Sequence, residues 1–420
     1  MTQLLEREGY RAVKAPQNAK VLIVNTCGFI SPAREESFAA LRTLAETKRP
    51  GQILIAAGCL TQRYGAEVAK QVPGIDGLLG TRRWMDIVEV VSELRKLPHP
   101  EPLYHLPETP TIGTDEAGSL RASIAGTSAY IKIADGCRRP CAFCAIPLIK
   151  GPAVSRPMEV ILAEARRLGN MGVREFNLIA QDTTDYGHDL GMENGLSTLL
   201  ERLTTAAPGV DWVRVMYAYP GYVTDRLIEV MATRPQILPY LDMPLQHAHP
   251  KTLQRMCRPA NMDWVYRTIA KMRAALPILA IRTTFIVGYP GETEEEFQRL
   301  LDFVAEMRFD RVGTFKFSFE PGTPSEPLGD PIPEEVKEER YQRLMVLQQG
   351  ISLQINQSFV GRRLNVLIEG YDKGLSIGRS YRDAPEIDGL VFAEGKAPIG
   401  AIVPVRITGA MAYDLTGLLA

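Results

Sequence analysis

Six short runs of β character recur between Ala129 and Ser318: Ala129 to Ala134, Arg174 to Ala180, Trp212 to Tyr217, Tyr240 to Met243, Ala280 to Val287 and Val312 to Ser318. Helical stretches lie between them, including Met158 to Leu168, Leu196 to Thr204, Asp263 to Ala274 and Thr293 to Met307. Strand-helix units in succession, with right-handed crossovers, make a parallel sheet, and six of them predict a sheet curling toward a partial (β/α)6 barrel. Chemistry on such a barrel collects at the carboxyl ends of the strands. The polar residues read at those positions are Gln181 and Asp182, Tyr217 and Tyr219, Gln246 and His247, and Arg282 with Gly288 and Glu292. Simpler roles compete, since Gln181 and Asp182 also suit a turn or helix cap and His247 a hydrogen bond to a backbone carbonyl.

The segment YIKIADGCRRPCAFCAIP (Tyr130 to Pro147) continues from the first of these runs and places Cys137, Cys141 and Cys144 in one turn-rich loop just after it. Soft thiolates gathered this closely suit iron-sulfur clusters or zinc. The C-x3-C-x2-C spacing has no fourth Cys or His nearby, so it matches a closed four-ligand zinc site poorly and a metal group with an open position better. Gly136 and Pro140 shape a loop able to fold around any soft metal.

Before this loop, the apolar runs VLIVN (Val21 to Asn25), ILIAA (Ile53 to Ala57) and DGLLG (Asp76 to Gly80) alternate with helical stretches and predict a small parallel α/β unit. Cys27 and Cys59 each follow one of these strands, which puts both thiols on the carboxyl edge of that sheet; taken alone, they also suit small buried hydrophobes. Pro98 to Thr114 is rich in Pro and Thr and reads as an interdomain linker. Pro333 to Phe359 carries Val336, Tyr341, Leu344, Leu347, Ile351 and Ile355 at helical spacing, and beyond Gly361 short β runs with Gly turns predict a small antiparallel barrel of about five strands. The expected domains are therefore 1–97, a linker over 98–122, a barrel over 123–333, a connecting helix over 334–358 and a terminal barrel over 359–420.

Composition narrows the partners. Lys+Arg total 48 against Asp+Glu 49, so no basic excess calls for a phosphate backbone, and the seven basic residues of the terminal barrel, from Arg362 to Arg406, are matched in number by acidic ones. That balance favours a protein partner, with contacts expected around Asp383 to Asp388. The charged start and the lack of a long apolar run predict a cytoplasmic chain with no membrane span. Six cysteines then read as metal ligands or bystanders, with Cys257 a bystander.

The cysteine spacing, with Phe143 just before the last thiol, resembles the signature of radical S-adenosylmethionine enzymes. The resemblance implies that Cys137, Cys141 and Cys144 hold a [4Fe-4S] cluster with one iron open to S-adenosylmethionine. It also implies that Phe143 packs beside the adenine and that Gln181 and Asp182 contact the cofactor's amino group; Asp182, His247 and Arg282 are catalytic candidates. NTCGFI, AREES and GCLTQRY resemble the amino-terminal domain of methylthiotransferases, which binds a second [4Fe-4S] cluster through three cysteines, here Cys27 and Cys59. The first of the three precedes the helix at Thr2 to Glu8 in that family, so a truncated start or a two-cysteine site is expected. The closing barrel is similar to a TRAM domain. GRSYRDAPEIDG, AQDTTDYG and YLDMPLQH look like the branch of the family that methylthiolates the β-carbon of an aspartate in ribosomal protein twelve of the small subunit. That resemblance implies two phases: transfer of a methyl group to sulfur at the amino-terminal cluster, then hydrogen abstraction by a 5'-deoxyadenosyl radical in a barrel mouth roofed by the other two domains. An electron donor and a sulfur donor are implied partners. The alternatives are a tRNA methylthiotransferase of the MiaB type, with nucleic acid as substrate, and a non-catalytic iron-sulfur binding module.

Overall fold

The structure, a computed structural model, describes residues 1–96, 101–108 and 123–420. The chain divides into two compact units: residues 1–119, 135–154 and 318–329 form the first, and residues 120–134, 155–317 and 330–420 the second.

The first unit is built on a four-stranded parallel sheet in sequential order: β1 (Val21–Thr26), β2 (Ile53–Gly58), β3 (Gly77–Gly80) and β4 (Leu103–His105). The pleat sends alternate residues to opposite faces. Leu54 and Ala56 pack with α2 (Ser31–Thr47) and α3 (Cys59–Gln71) through Phe38, Leu41, Leu60 and Val68. Ile55 and Ala57 pack on the other side with α1 (Thr2–Arg7) and α4 (Ile87–Leu94) through Leu4, Ile87, Val90 and Val91. The stretch expected as a linker is thus not featureless, because Leu103–His105 finds a parallel partner in β3. The rest of that expected linker, 98–100 and 109–122, lies outside the described residues.

The second unit opens with the hairpin β5 (Ser123–Ala125) and β6 (Ser128–Lys132). Two-residue strands β7 (Ala134–Asp135) and β8 (Val154–Ser155) bracket the cysteine loop in sequence, with α5 (Ile146–Lys150) inside it. Then follow α6 (Met158–Asn170), β9 (Glu175–Ile179), α7 (Gly195–Ala206), β10 (Trp212–Val215), α8 (Asp225–Thr233), β11 (Ile237–Asp242), α9 (Pro250–Arg255), α10 (Met262–Ala275), β12 (Ala280–Val287), α11 (Glu294–Met307) and β13 (Arg311–Lys316). The sheet order is β13-β12-β11-β10-β9-β6-β5, parallel from β6 to β13, and it remains open, as a partial (β/α)6 barrel requires. Local chemistry starts the helices. Thr293 and Glu296 form a reciprocal capping box on α11, and the Thr224 and Asn261 side chains accept from the first turns of α8 and α10.

α12 (Glu334–Gln357) buries Leu344 and Ile351 on the same core and leads to the terminal barrel. Its strands, β14 (Arg363–Asp372), β15 (Leu375–Ser380), β16 (Val391–Glu394), β17 (Ile402–Ala410) and β18 (Leu415–Leu419), close in the order β14-β15-β16-β18-β17. One pairing departs from the antiparallel expectation: β16 and β18 run parallel, because the chain crosses the barrel between them.

The loop Gly378 to Gly389 of this barrel is seated against the amino-terminal ends of the partial barrel's strands. Arg379 Nη2 meets Glu175 Oε2 at 2.6 Å, Arg382 Nη2 meets Asp310 Oδ1 at 2.9 Å, and Asp383 Oδ1 meets Arg311 at 2.7 Å. Tyr240 Oη donates to Asp388 at 2.7 Å, and Tyr130 Oη to the Pro385 carbonyl at 3.2 Å. The terminal barrel therefore floors the partial barrel instead of roofing its mouth. Within the stretch expected to contact a partner protein, Asp383 and Asp388 are instead committed within the chain, with Asp383 only 2 % exposed, whereas Glu386 and Ile387 are exposed.

Candidate functional site

In the first unit, the carboxyl edge of the parallel sheet is where the chain makes its sharpest turns. Thr26 and Gly58 are register partners, so Cys27 and Cys59 leave neighbouring strands at the same level. The elbow into α3 depends on Gly58, whose φ is +132° and where a Cβ would lie 2.4 Å from the Thr26 carbonyl oxygen. Cys27 is exposed, its amide donating to Ser37 Oγ at 3.0 Å. Cys59 is half-buried, and burial pushes its thiol up; Lys150 and a hydrogen bond from Thr81 oppose that, while Cys27 and Asp135 add to it. The two thiols sense one another, as the shared edge predicts.

The cysteine loop belongs to this same unit. Gly136 opens it at φ +75°, and a side chain there would collide with the Pro152 carbonyl oxygen at 2.0 Å. The loop is pinned by the Cys137 amide on the Gly151 carbonyl (3.1 Å) and the Cys144 amide on the Cys141 carbonyl (3.1 Å). The Arg139 amide points at Cys137 Sγ from 3.4 Å, a main-chain donor aimed at a ligand-type sulfur. Arg82 donates to the Ile149 and Leu148 carbonyls at 3.0 and 3.2 Å, satisfying the last turn of α5, and Lys150 Nζ pairs with Asp135 at 2.8 Å. From the 318–329 segment, the Ser325 amide donates to the Ala142 carbonyl at 2.9 Å. Buried Glu320 in that segment is held by Arg63 (2.7 Å) and Arg34 (3.3 Å).

Cys137, Cys141 and Cys144 all line one cleft of about 540 Å³ with Arg138, Pro147 and Gly322. Half-buried Phe143 lies between two of them in the loop. Among the described residues no three His, Cys, Asp or Glu side chains are arranged to hold a single metal ion. Cys257, at φ +52° just after α9, is exposed.

The strand-end residues belong to the second unit. Asp182 accepts from the Thr184 amide (2.9 Å) and hydroxyl (2.5 Å), the turn-capping role open to it from sequence. Gln181 Oε1 is buried without a hydrogen-bond partner. His247 is wholly buried: Nδ1 accepts from the His249 amide at 2.9 Å, which leaves the proton on Nε2, facing Glu292 at 3.3 Å. Glu292 in turn pairs with Arg340 at 3.2 Å, so His247 is a satisfied member of a buried network. Arg282 is the third residue of β12 and lies toward the strand's amino end, not its carboxyl end; it bridges Asp242 (3.1 Å) and Asp388 (3.5 Å) in the floor. Burial raises the pKa of both aspartates, partly offset by the Arg282 charge. Sequence reading missed that floor altogether, although GRSYRDAPEIDG carries its charges.

Comparison with known proteins adds a separate line of evidence. Family models match residues 131–304 (Radical SAM superfamily), 360–419 (TRAM domain) and 1–80 (Uncharacterized protein family UPF0004). Curated relatives named ribosomal protein uS12 methylthiotransferase RimO include those of Chloroflexus aurantiacus, 50% identical over 99% of this chain and 95% of that protein, and Roseiflexus sp., 48% identical over 99% and 93%. The solved radical S-adenosylmethionine methyltransferase TsrM from Kitasatospora setae, described with cobalamin and a [4Fe-4S] cluster bound, shares the fold. It is 13% identical with a TM-score of 0.55, covering 90% of this chain and 71% of its own.

Proposed function

Because this chain belongs to the RimO family of radical S-adenosylmethionine methylthiotransferases, we propose that it adds a methylthio group to the β-carbon of an aspartate in ribosomal protein uS12, in the cytoplasm where that protein is made. The observation that carries the cofactor part of this reading is the one cleft that Cys137, Cys141 and Cys144 line together. Each thiolate of a multi-iron group binds a different iron, so the ligands ring a cleft instead of converging on one ion, and the donor set fits a [4Fe-4S] group. Cys137, Cys141 and Cys144 would hold it, and Cys27 with Cys59 would supply thiolates to a second one. When bound, the group supplies the low-potential electron for cleaving S-adenosylmethionine.

The chain's own residues orient this chemistry. Gly136 permits the tight entry of the loop, and the Arg139 amide stabilises charge on the Cys137 sulfur. Arg82 and the Lys150–Asp135 pair fix α5, immediately after Cys144. Among the strand ends, the unpartnered Gln181 oxygen is an acceptor suited to the cofactor's ammonium.

The test uses the full chain reconstituted with iron and sulfide, then given dithionite, S-adenosylmethionine and uS12. Methylthiolated uS12 is expected, and Cys141→Ala should lose iron and cofactor cleavage while keeping its circular dichroism spectrum. Methylthiolation of tRNA instead would establish the MiaB-type alternative. Cofactor cleavage at the parent rate in Cys141→Ala would reject the assigned ligands.

A further inference from the structure

The contacts of the loop Gly378 to Gly389 climb the inside of the partial barrel. Arg379 and Asp383 bind Glu175 and Arg311, the first residues of β9 and β13. Farther along, the Pro385 carbonyl accepts from Tyr130, the third residue of β6. Asp388 meets Tyr240 and Arg282, the fourth residue of β11 and the third of β12. Ala384 packs in one cluster with Trp212, Met216, Tyr240 and Ala280, whose strand neighbours Val213, Val215, Leu241 and Ile281 face the helices instead. The loop is therefore a plug that rises within the barrel from the amino-terminal ends where it enters.

Between the anchors at Pro385 and Asp388 stand Glu386 and Ile387, and both are exposed, Ile387 by 45 %. Tyr130 marks the direction in which they point. Burial pushes its hydroxyl up to about 12, the Glu386 charge adds to this, and Tyr217, beyond the carboxyl end of β10, adds a smaller share. One hydroxyl thus senses both the tip of the plug and a strand-end residue, which puts Glu386 on the path from the floor to the mouth. The other acids of the loop tip are taken, Asp383 by Arg311 and Asp388 by Tyr240 and Arg282. Among the described residues no ion pair takes up the Glu386 carboxylate. Its φ of +69° is one that glycine would hold at less cost, so shaping the turn does not call for this side chain.

We propose that Glu386 and Ile387 are specificity-determining residues that meet the substrate polypeptide inside the barrel, the Glu386 carboxylate pairing with a Lys or Arg side chain and Ile387 packing on that side chain's aliphatic stem. This rests on the proposed function. A protein that works against the RNA phosphates of a ribosome carries Lys and Arg, and an unpaired carboxylate attracts them while repelling phosphate. The guanidinium groups around the plug do not compete for it, because Arg214, Arg282 and Arg379 are already paired with Glu175, Asp242 and Glu369. An apolar side chain next to the charge suits the long hydrocarbon stem that Lys and Arg carry below their charged heads.

Both side chains are exposed, so replacing them should leave the fold intact and separate recognition from folding. Fluorescently labelled uS12 is titrated at low and high salt with the full chain and with Glu386→Gln, Glu386→Asp and Ile387→Ser, and each thermal midpoint is recorded. At low salt, Glu386→Gln should bind about tenfold more weakly than the parent, as expected for loss of a charge-assisted hydrogen bond. Its affinity should also fall less steeply with added salt, because the screened pair is gone. Glu386→Asp should lie between the two, Ile387→Ser should weaken binding with the parent's salt dependence, and all midpoints should match the parent's. Parent-like affinity and salt dependence in Glu386→Gln overturn the inference, and so does a lowered midpoint in that variant, which would assign the carboxylate to folding. If the parent chain binds tRNA in preference to uS12, the proposed function itself fails, and this inference with it.

Discussion

Replacing Glu175 with alanine should unfasten the floor of the partial barrel. Glu175 is wholly buried at the start of β9 and accepts from Ser128 Oγ (2.7 Å), Arg214 (3.0 Å) and Arg379 (2.6 Å). Burial works to raise its pKa, but the Arg214 and Arg379 charges prevail and hold the carboxyl down to about 2. Relative to a free glutamate near pH 4.3, that depression corresponds to roughly 3 kcal/mol of folding stability. An independent route gives a similar figure. Removing one member of a buried charge cluster typically costs about 3–5 kcal/mol, because the remaining charges lose their counterion. The lower end applies here, since Arg214 keeps the Tyr381 carbonyl and the Tyr240 ring face, and Arg379 keeps Glu369. The sign follows from the depressed pKa: the contribution is fully present above the pKa of a free glutamate and drains away as pH falls toward about 2. Urea unfolding of Glu175→Ala should therefore show a loss of about 3 kcal/mol near neutral pH that narrows in acid. Arg379→Met added to it should cost less than in the parent, because the guanidinium it removes has already lost one of its two carboxylate partners. A loss under about 1 kcal/mol, or one independent of pH, would refute the reasoning.

Two further changes probe the first unit. Gly58→Ala places a Cβ 2.4 Å from the Thr26 carbonyl oxygen in a left-handed backbone, so it should cost roughly 3 kcal/mol. An unchanged thermal midpoint would show that the elbow before Cys59 relaxes freely. Glu320→Ala strips the counterion from Arg63, whose side chain is 6% exposed, at a cost of about 3 kcal/mol, and it should speed proteolytic cutting within 318–329. Parent-like cutting would mean that the ion pair does not hold that segment.

The partial barrel was legible because its signal is local and repeated: β runs and helices of the right period six times over, each bounded by turn residues. The terminal barrel was legible from its Gly-punctuated β runs. What escaped depended on distant partners. The run Leu103–His105 sits in a Pro-rich stretch, and only the waiting edge of β3 makes it a strand. Arg282 looked like a strand-end residue within IRTTFIVG because its two aspartate partners, Asp242 and Asp388, lie far away in sequence. The charge tally of the terminal barrel assumed a solvated surface. Arg379, Arg382 and Asp383 are at most 2 % exposed and are spent on Glu175, Asp310 and Arg311, so that tally described the floor and said little about a partner.

The motif boundaries also differ from the physical ones in a way that bears on the chemistry. By sequence, the loop with Cys137, Cys141 and Cys144 is an insertion within the barrel. By packing, residues 135–154 and 318–329 belong with the amino-terminal sheet. The reason is visible in the bonds: Arg82 on the α5 carbonyls, Ser325 on Ala142, and Arg63 and Arg34 on Glu320 tie three separated segments into one body. Lys150, paired with Asp135 in the loop, is also a charge felt at Cys59, so the loop and the sheet edge share a charged pair. A substitution at the sheet edge should therefore reach the loop thiols through bonded contacts.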